Sequence, residues 1–165
     1  MNGLERMRHV PTPLGTVLLS ARDGALVSAR FVDSIEQVNP PVASADPVLD
    51  RAAAALARYF AGHDLHQGDE AEGVPLAPVG TPFQRKVWDA ILSIPYGQTT
   101  TYTGIAQSIG APRAVRAVGA ATGRNPLWLF VPCHRVIGRG GALTGYAGGI
   151  ERKRALLALE HHGRG

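Results

Sequence analysis

A stretch without hydrophobic periodicity, His63 to Pro78, interrupts the 165-residue chain near its middle. It is acidic at first and then rich in glycine and proline, a composition typical of linkers. The whole chain is near the usual size of one domain, which leaves room for two small units with a shared interface. We therefore place a boundary near Val79 and predict domains at residues 1–78 and 79–165.

The first half is predicted to be a small α+β unit with a short antiparallel sheet. Two strand-like runs, Gly15–Ser20 and Ala25–Val32, flank the turn residues Arg22-Asp23-Gly24. A helix is predicted at 48–61, because Asp46 is a favourable N-cap and the proline after it suits the first helical position. This helix would cover the two strands.

The second half is predicted to be mainly helical and to contain a helix-turn-helix. A capping box, Thr81-Pro82-Phe83-Gln84, begins a long helix. Two shorter helices, Thr103–Ile109 and Pro112–Thr122, follow around a glycine-containing turn. The other predicted elements are a strand at Leu127–Val131 and a helix at Glu151–His161. The fold class is therefore mixed α/β, of the α+β type.

Charge is distributed unevenly between the halves. Residues 1–78 carry 6 basic and 10 acidic side chains, whereas residues 79–165 carry 11 and 3. A cationic half of this kind is typical of a surface that meets a polyanion such as nucleic acid, and the other half would then be a scaffold. A solvated basic face explains the charge equally well at this point.

The second helix of the predicted pair, Pro112–Thr122, is unusually rich in small residues. Arg113, Arg116 and Ala120 fall on one face, and Ala117 adds to the smooth surface. Such a surface can approach the narrow minor groove but reads base edges poorly, so we expect binding to double-stranded DNA with little sequence specificity. The alternative is a small-residue helix packed against the core.

The single cysteine, Cys133, follows the apolar run and lies in Pro132-Cys133-His134-Arg135-Val136. A lone cysteine is often a small buried apolar residue, but a neighbouring histidine in a basic half favours a reactive thiolate. Adjacent side chains diverge in extended chain, so His134 would reach the sulfur through a water. Of the three carboxylates in this half, Glu160 is the first candidate for orienting the histidine.

Several other kinds of site are excluded or disfavoured. One cysteine rules out an internal disulfide and a multi-cysteine zinc site, and we expect no metal and no cofactor. His63 and His66 lack a clear third ligand, and the glycines from Gly138 to Gly149 lack a phosphate-binding Gly-Lys-Ser/Thr pattern. Without an apolar run of membrane-spanning length or an apolar signal segment, we expect a cytoplasmic protein.

Five segments of the second half form a consistent set. They are Pro95–Gly97 with Tyr102, Arg116–Gly119, Asn125-Pro126, Pro132–Val136, and Thr144–Tyr146 with Gly148-Gly149. In this order and spacing they resemble the O6-alkylguanine-DNA alkyltransferases, also called methylated-DNA–protein-cysteine methyltransferases. In the first half only Thr12–Gly15 and Tyr59–Gly62 look similar. The resemblance implies a ribonuclease H-like first subdomain and a winged helix-turn-helix-like second one.

The same resemblance implies a DNA repair reaction at Cys133. The cysteine would accept the alkyl group of a flipped-out O6-alkylguanine, mainly O6-methylguanine, with His134 taking the thiol proton through water and Glu160 orienting His134. The product is a thioether, and no second cysteine exists to resolve it. Each molecule would therefore act once.

Further roles implied by the resemblance concern DNA and the base. Arg116 would fill the vacated stack, Tyr102 would help to rotate the nucleotide and donate a hydrogen bond to the base, and Asn125 would tie the helix-turn-helix to the active-site loop. The substrate pocket would comprise Pro132, Val136, Tyr146, Ala147 and Gly148. We expect a monomer, with cooperative binding along DNA left open.

Three rival functions remain to be weighed. The main one is a non-catalytic sensor or regulator of alkylated DNA, against which Cys133 argues. A cysteine hydrolase would need an oxyanion hole and a leaving acyl group, and its cysteine and histidine usually come from distant segments. A transcription regulator would need a helix that reads base edges better than this one does.

Overall fold

The computed structural model describes residues 4–33, 45–66, 73–143 and 145–163. The chain divides into two compact units, Met1–Pro78 and Val79–Gly165. Both strands and helices are present, so the predicted mixed α/β class is confirmed. None of the described helices is long and apolar enough to cross a membrane.

The first unit is built on a three-stranded antiparallel sheet in the order β1-β2-β3. These strands span Arg6–Thr12, Gly15–Arg22 and Ala25–Val32. The predicted hairpin of β2 and β3 is confirmed, and its turn contains Gly24 with a φ of 79°. Sequence patterning does not predict β1, because its side chains are mixed in polarity and it contains Pro11. An edge strand tolerates both features.

Helix α1, Pro47–Phe60, packs against all three strands. Its predicted cap is confirmed: Asp46 Oδ1 accepts hydrogen bonds from the backbone N–H groups of Val48 at 2.8 Å and Leu49 at 3.1 Å. The side chains that α1 buries recur at helical spacing: Val48, Leu49, Ala52, Ala55, Leu56 and Tyr59. They form the core of the first unit together with the apolar face of the sheet.

The end of the predicted linker joins the sheet instead of running free. Leu26 N donates to Pro75 O at 2.8 Å, and Ala77 N donates to Leu26 O at 2.9 Å. These two bonds form a parallel bridge between Leu76 and β3. Backbone hydrogen bonding of this kind leaves no periodic sequence signal, because one bridging residue is too short for alternation. Residues 67–72 of the linker lie outside the described ranges.

The second unit begins with helix α2, Pro82–Leu92, whose predicted capping box is confirmed. Thr81 Oγ1 accepts from Gln84 N at 3.1 Å, and Gln84 Oε1 accepts from Thr81 N at 2.9 Å. The elements after α2 are β4 (Thr100–Thr101), α3 (Tyr102–Ser108), α4 (Val115–Gly123), β5 (Val136–Ile137) and α5 (Ile150–Gly163). Helices α2, α3 and α4 pack on one another, and β4 pairs with β5 in parallel.

Two predicted elements of this unit are wrong in detail. The helix expected from Pro112 begins at Val115, because the chain first closes a turn in which Ala114 N donates to Ala111 O at 2.8 Å. Leu127–Val131 is a tight turn and not a strand: Val131 N donates to Leu127 O at 2.8 Å, and Leu129 has a φ of 74°. Apolar composition predicted a strand here because these side chains are buried.

Candidate active site and nucleic-acid interface

Cys133 is the first residue of a short 3-10 helix, Cys133–Arg135, that follows the tight turn. The sequence prediction of extended chain at this point is therefore wrong. Cys133 N donates to Val131 O at 2.7 Å, which folds the chain back on the turn. The side chain is only 6% exposed. The thiol therefore lies inside the unit, and a ligand has to enter the fold to contact it.

Asn125 connects the end of α4 to the segment before Cys133. Its Nδ2 donates to Val131 O at 2.9 Å, and its Oδ1 accepts from Leu127 N at 2.9 Å. The Asn125 side chain also acts on the thiol of Cys133, whose pKa it lowers. One buried amide thus shapes the turn and influences the thiol.

Burial raises the pKa of the Cys133 thiol to about 11, while the hydrogen bond from Asn125 and the positive charge of Lys153 act in the opposite direction. Removing a thiolate from water is costly, and the two polar neighbours offset only part of that cost. The sulfur is therefore a neutral thiol near pH 7. Nucleophilic attack at this site requires a base.

The candidate base, His134, is paired with Glu160. His134 Nε2 lies 2.5 Å from Glu160 Oε2, and both side chains are buried. Burial lowers the pKa of His134, although the hydrogen bond and charge of Glu160 raise it in part. The imidazole is consequently neutral near pH 7 and able to accept a proton. The structure therefore brings together the histidine and the carboxylate that the sequence singles out.

Arg135 contacts the same carboxylate, and the sequence analysis gave it no role. Its Nε donates to Glu160 Oε1 at 2.8 Å and its Nη2 to Glu160 Oε2 at 3.2 Å, while Nη1 donates to Ile94 O at 2.8 Å. Burial alone would raise the pKa of Glu160, but hydrogen bonds from His134 and Arg135 lower it to about 2. Arg135 therefore keeps the carboxylate charged and fixed in orientation.

Lys153 is a second residue that the sequence analysis missed. It is 1% exposed, and its Nζ donates to Val136 O at 2.6 Å. Burial lowers the pKa of its ammonium group, and the nearby Cys133 raises it. The sequence did contain a signal for this burial. Lys153 lies three residues before Leu156 and seven before Glu160, a helical spacing that places all three on the buried face of α5. The carbonyl of Val136, a residue expected in the substrate pocket, thus accepts a hydrogen bond from this lysine.

Tyr146 and Gly148 lie beside Trp128 in the loop before α5. The Tyr146 and Trp128 ring centroids are 6.0 Å apart, and a Cβ on Gly148 would lie 2.7 Å from Tyr146 Cε1. Tyr146 is buried, and its hydroxyl has no hydrogen-bond partner among the described residues. Pro132 is buried and Ala147 is exposed. Thr144, part of the same motif, lies outside the described residues.

The predicted DNA-binding residues lie on and before α4. Arg116, Ala117 and Ala120 are exposed on this helix, whereas Val118 is buried beneath it. Arg113 is exposed in the turn before α4, so the prediction that it shares a helical face with Arg116 is wrong. Four exposed positions thus form a surface with two arginines and little bulk.

Tyr102 is the first residue of α3, and two glycines approach it. A Cβ on Gly119 of α4 would lie 4.0 Å from its Cδ1, and a Cβ on Gly145 would lie 3.4 Å from its hydroxyl. The ring therefore lies between α4 and the loop that carries Tyr146.

Among the described residues, no three His, Cys, Asp or Glu side chains are grouped as a metal site.

Comparison with known proteins gives consistent similarities. Residues 82–162 match the family model described as 6-O-methylguanine DNA methyltransferase, DNA binding domain. The chain is 46% identical over 154 residues to a methylated-DNA–protein-cysteine methyltransferase of Mycolicibacterium paratuberculosis, covering 93% of this chain and 90% of that protein. A constitutive enzyme of the same name from Bacillus subtilis is 43% identical, with coverage of 90% and 91%.

The fold of the chain also matches that of a solved structure. The crystal structure of Mycobacterium tuberculosis OGT in complex with DNA matches with a TM-score of 0.81 and 44% sequence identity. The match covers 95% of this chain and 93% of that one. Similarity therefore extends through both units.

Proposed function

The chain belongs to the methylated-DNA–protein-cysteine methyltransferase family, and on that premise we propose that it removes the alkyl group of O6-alkylguanine in duplex DNA by transferring it to Cys133. The observation that carries this proposal is the buried arrangement of Cys133 beside the hydrogen-bonded pair of His134 and Glu160. A thiol whose pKa is about 11 needs such a base. The main substrate is O6-methylguanine.

The proposed reaction begins with a proton transfer from the Cys133 thiol, through a water, to His134. Because Nε2 of His134 contacts Glu160, Nδ1 is the nitrogen that receives the proton, and the charged carboxylate stabilises the resulting imidazolium. The thiolate then attacks the alkyl carbon, forming an S–C bond as the bond from carbon to guanine O6 breaks. The electron pair leaves with the base, whose negative charge is offset by a hydrogen bond from the Tyr102 hydroxyl until the base takes up a proton from water. The thioether is stable, so each molecule acts once.

The target base is inside the duplex and has to be flipped out to reach a thiol that is 6% exposed. We assign the DNA contact to α4, whose Ala117 and Ala120 permit close approach in the minor groove. Arg116 occupies the space that the base leaves in the stack. The protein acts as a monomer with little sequence specificity.

The decisive experiment is intact mass spectrometry after incubation with a short duplex that contains O6-methylguanine, followed by peptide mapping. We expect one CH2 of added mass on Cys133, in a stoichiometric amount and without turnover. Cys133→Ser is the matched control, which should bind the same duplex and gain no mass. Binding by the wild-type protein without a mass change would instead identify a lesion sensor.

The role of Arg116 is tested by comparing two substrates. Arg116→Ala should slow repair of the duplex far more than reaction with free O6-benzylguanine, because the free base needs no flipping. Arg154→Ala removes an exposed arginine from α5 and serves as the control for charge. Equal slowing of both reactions by Arg116→Ala would contradict the assignment.

A further inference from the structure

The short connection between α2 and β4 contains Pro95–Gly97, a motif to which no role has been assigned. Gln98 N donates to Pro95 O at 3.0 Å, and this hydrogen bond closes a tight turn over the two residues between them. The turn contacts two buried side chains of the candidate site, Arg135 and Glu160. It therefore adjoins the charged partner of the candidate base.

Gly97 directs a backbone N–H group at that carboxylate. Its φ is 78°, the left-handed value that the third position of a type II turn requires and that glycine adopts without strain. With negative φ values at both central positions, the peptide group between Tyr96 and Gly97 would face the opposite way. Here Gly97 N donates to Glu160 Oε1 at 3.4 Å. The need for glycine at this position is thus linked to the orientation of Glu160.

Tyr96 contacts the arginine that binds the same carboxylate. Arg135 Cζ lies 5.7 Å from the centroid of the Tyr96 ring, within the range of about 6 Å over which an aromatic face attracts a guanidinium. Arg135 is 3% exposed, so little water competes with this contact. Its Nη1 also donates to Ile94 O at 2.8 Å, just before the turn. One short segment therefore holds the guanidinium at two points.

These contacts converge on the orientation of Glu160. Arg135 donates to both carboxylate oxygens, and the N–H group of Gly97 adds a further donor to Oε1. With Oε1 held in this way, Oε2 stays in contact with His134. A carboxylate that rotated away would stabilise the imidazolium less during the reaction. The turn thus acts on the base from a distance.

We propose that the turn at Tyr96 and Gly97 positions Glu160 for alkyl transfer, and with it the base that Glu160 contacts. The inference rests on the proposed function, because the step that it assists is the proton transfer to this base. Tyr96 acts through Arg135, and Gly97 acts on the carboxylate itself. Neither residue touches the reacting atoms, so both are positioning residues.

The first test is Tyr96→Leu, which keeps apolar bulk and removes the aromatic face. The rate constant for transfer from a saturating duplex with O6-methylguanine should fall about fivefold, the effect of losing one partly desolvated cation–π contact. The Kd for this duplex, measured in the Cys133→Ser background, should stay unchanged. Reaction with free O6-benzylguanine should slow by the same factor, because the base acts in both reactions. Tyr96→Phe keeps the ring and should restore most of the rate.

The second test is Gly97→Ala, with Gly24→Ala as its matched control. Gly24 has a φ of 79° in the hairpin turn of the first unit, and a Cβ there would lie within 4 Å of no other atom. Both substitutions place alanine at a left-handed φ, so both should lower the urea midpoint. Only Gly97→Ala should slow alkyl transfer when the protein is folded.

Three outcomes would overturn the inference. One is unchanged rate constants for both folded variants of the turn. Another is a loss confined to the duplex or a higher Kd, because the turn would then act on DNA through the helix-turn-helix. The third is equal slowing by Gly24→Ala and Gly97→Ala, which would reflect stability alone. Failure of the wild-type protein to transfer an alkyl group from either substrate would contradict the proposed function instead.

Discussion

The two units of the chain bury very different kinds of side chain. Among the described residues, the first unit buries one polar side chain, Ser20, and otherwise fills its core with apolar groups. The second unit buries six polar or charged side chains: Thr122, Asn125, His134, Arg135, Lys153 and Glu160. Ion pairs of the first unit lie at its surface, as in the contact of 2.6 Å between Arg8 and the exposed Asp50.

The apolar core of the first unit stabilises its fold, whereas the buried charged side chains of the second unit lower its stability. Each apolar side chain that leaves water stabilises the folded state. A buried charge loses hydration, and its partners offset that cost only when the geometry of their contacts is good. The second unit accepts this cost at the residues that surround Cys133. Changes to charged groups should therefore have large effects in the second unit and small effects in the first.

The largest effect is expected for Glu160→Gln. The substitution leaves Arg135, which is 3% exposed, as a buried cation without its carboxylate, and such losses cost about 3–5 kcal/mol of the free energy of unfolding. Urea unfolding measures this change. Reaction at Cys133 should also slow at a pH where the variant is folded. A loss below about 1 kcal/mol would show that the buried network behaves like a surface ion pair.

The same carboxylate should make stability depend on acid pH. Its pKa is about 2 in the folded protein against 4.5 ordinarily, so only the unfolded chain binds this proton between those values. Stability contributed by Glu160 is therefore complete above pH 4.5 and is lost as the pH falls toward 2, by a total on the order of 3 kcal/mol. Unfolding curves at a series of acid pH values measure it. Glu160→Gln should lack this part of the dependence, and parallel curves for both proteins would contradict the assignment.

An intermediate effect is expected for Lys153→Met. Its positive charge lowers the pKa of Cys133, so its removal should shift the pH profile of alkyl transfer toward higher pH. The higher thiol pKa decreases the thiolate fraction, and with it the rate near pH 7. The other lysine of the chain, Lys86, is exposed on α2, so Lys86→Met is the matched control. A lower rate with an unshifted profile would mean that Lys153 acts through the Val136 carbonyl alone.

The smallest effect is expected for Asp50→Asn in the first unit. Its ion pair with Arg8 is exposed to solvent, and exposed pairs contribute about 0.2–1 kcal/mol to the free energy of unfolding. The change should also weaken at high salt. Thermal unfolding at two salt concentrations would measure both. A loss as large as that of Glu160→Gln would remove the distinction between the two units.

The sequence predicted structure well wherever the cause was local. Asp46 and Thr81 form the caps expected of them, since each contacts backbone groups two or three residues away. Leu127–Val131 was predicted wrongly because a side chain, Asn125, supplies hydrogen bonds that the apolar pattern does not reveal. A polar group beside an apolar run can replace a strand by a turn.

For the candidate site, the sequence singled out the pair of His134 and Glu160, which the structure brings into contact, but not the residues that support the pair. His134 and Glu160 follow from what a thiol needs from its neighbours. Arg135 is found only from its contact with Glu160, 25 residues away. Lys153 shares a helical face with Leu156 and Glu160, but its contact with Val136, 17 residues away, is visible only in the structure. Long-range pairing of this kind has no periodic signature in one sequence.

The burial of Cys133 also bears on how long an unused molecule lasts. A neutral, buried thiol resists oxidants and stray electrophiles, because these react with exposed thiolates. Under the proposed chemistry a molecule consumed by such a side reaction would be lost as surely as one that had repaired a base. Suppressed background reactivity therefore preserves the stock of competent protein during the intervals in which DNA carries no damage.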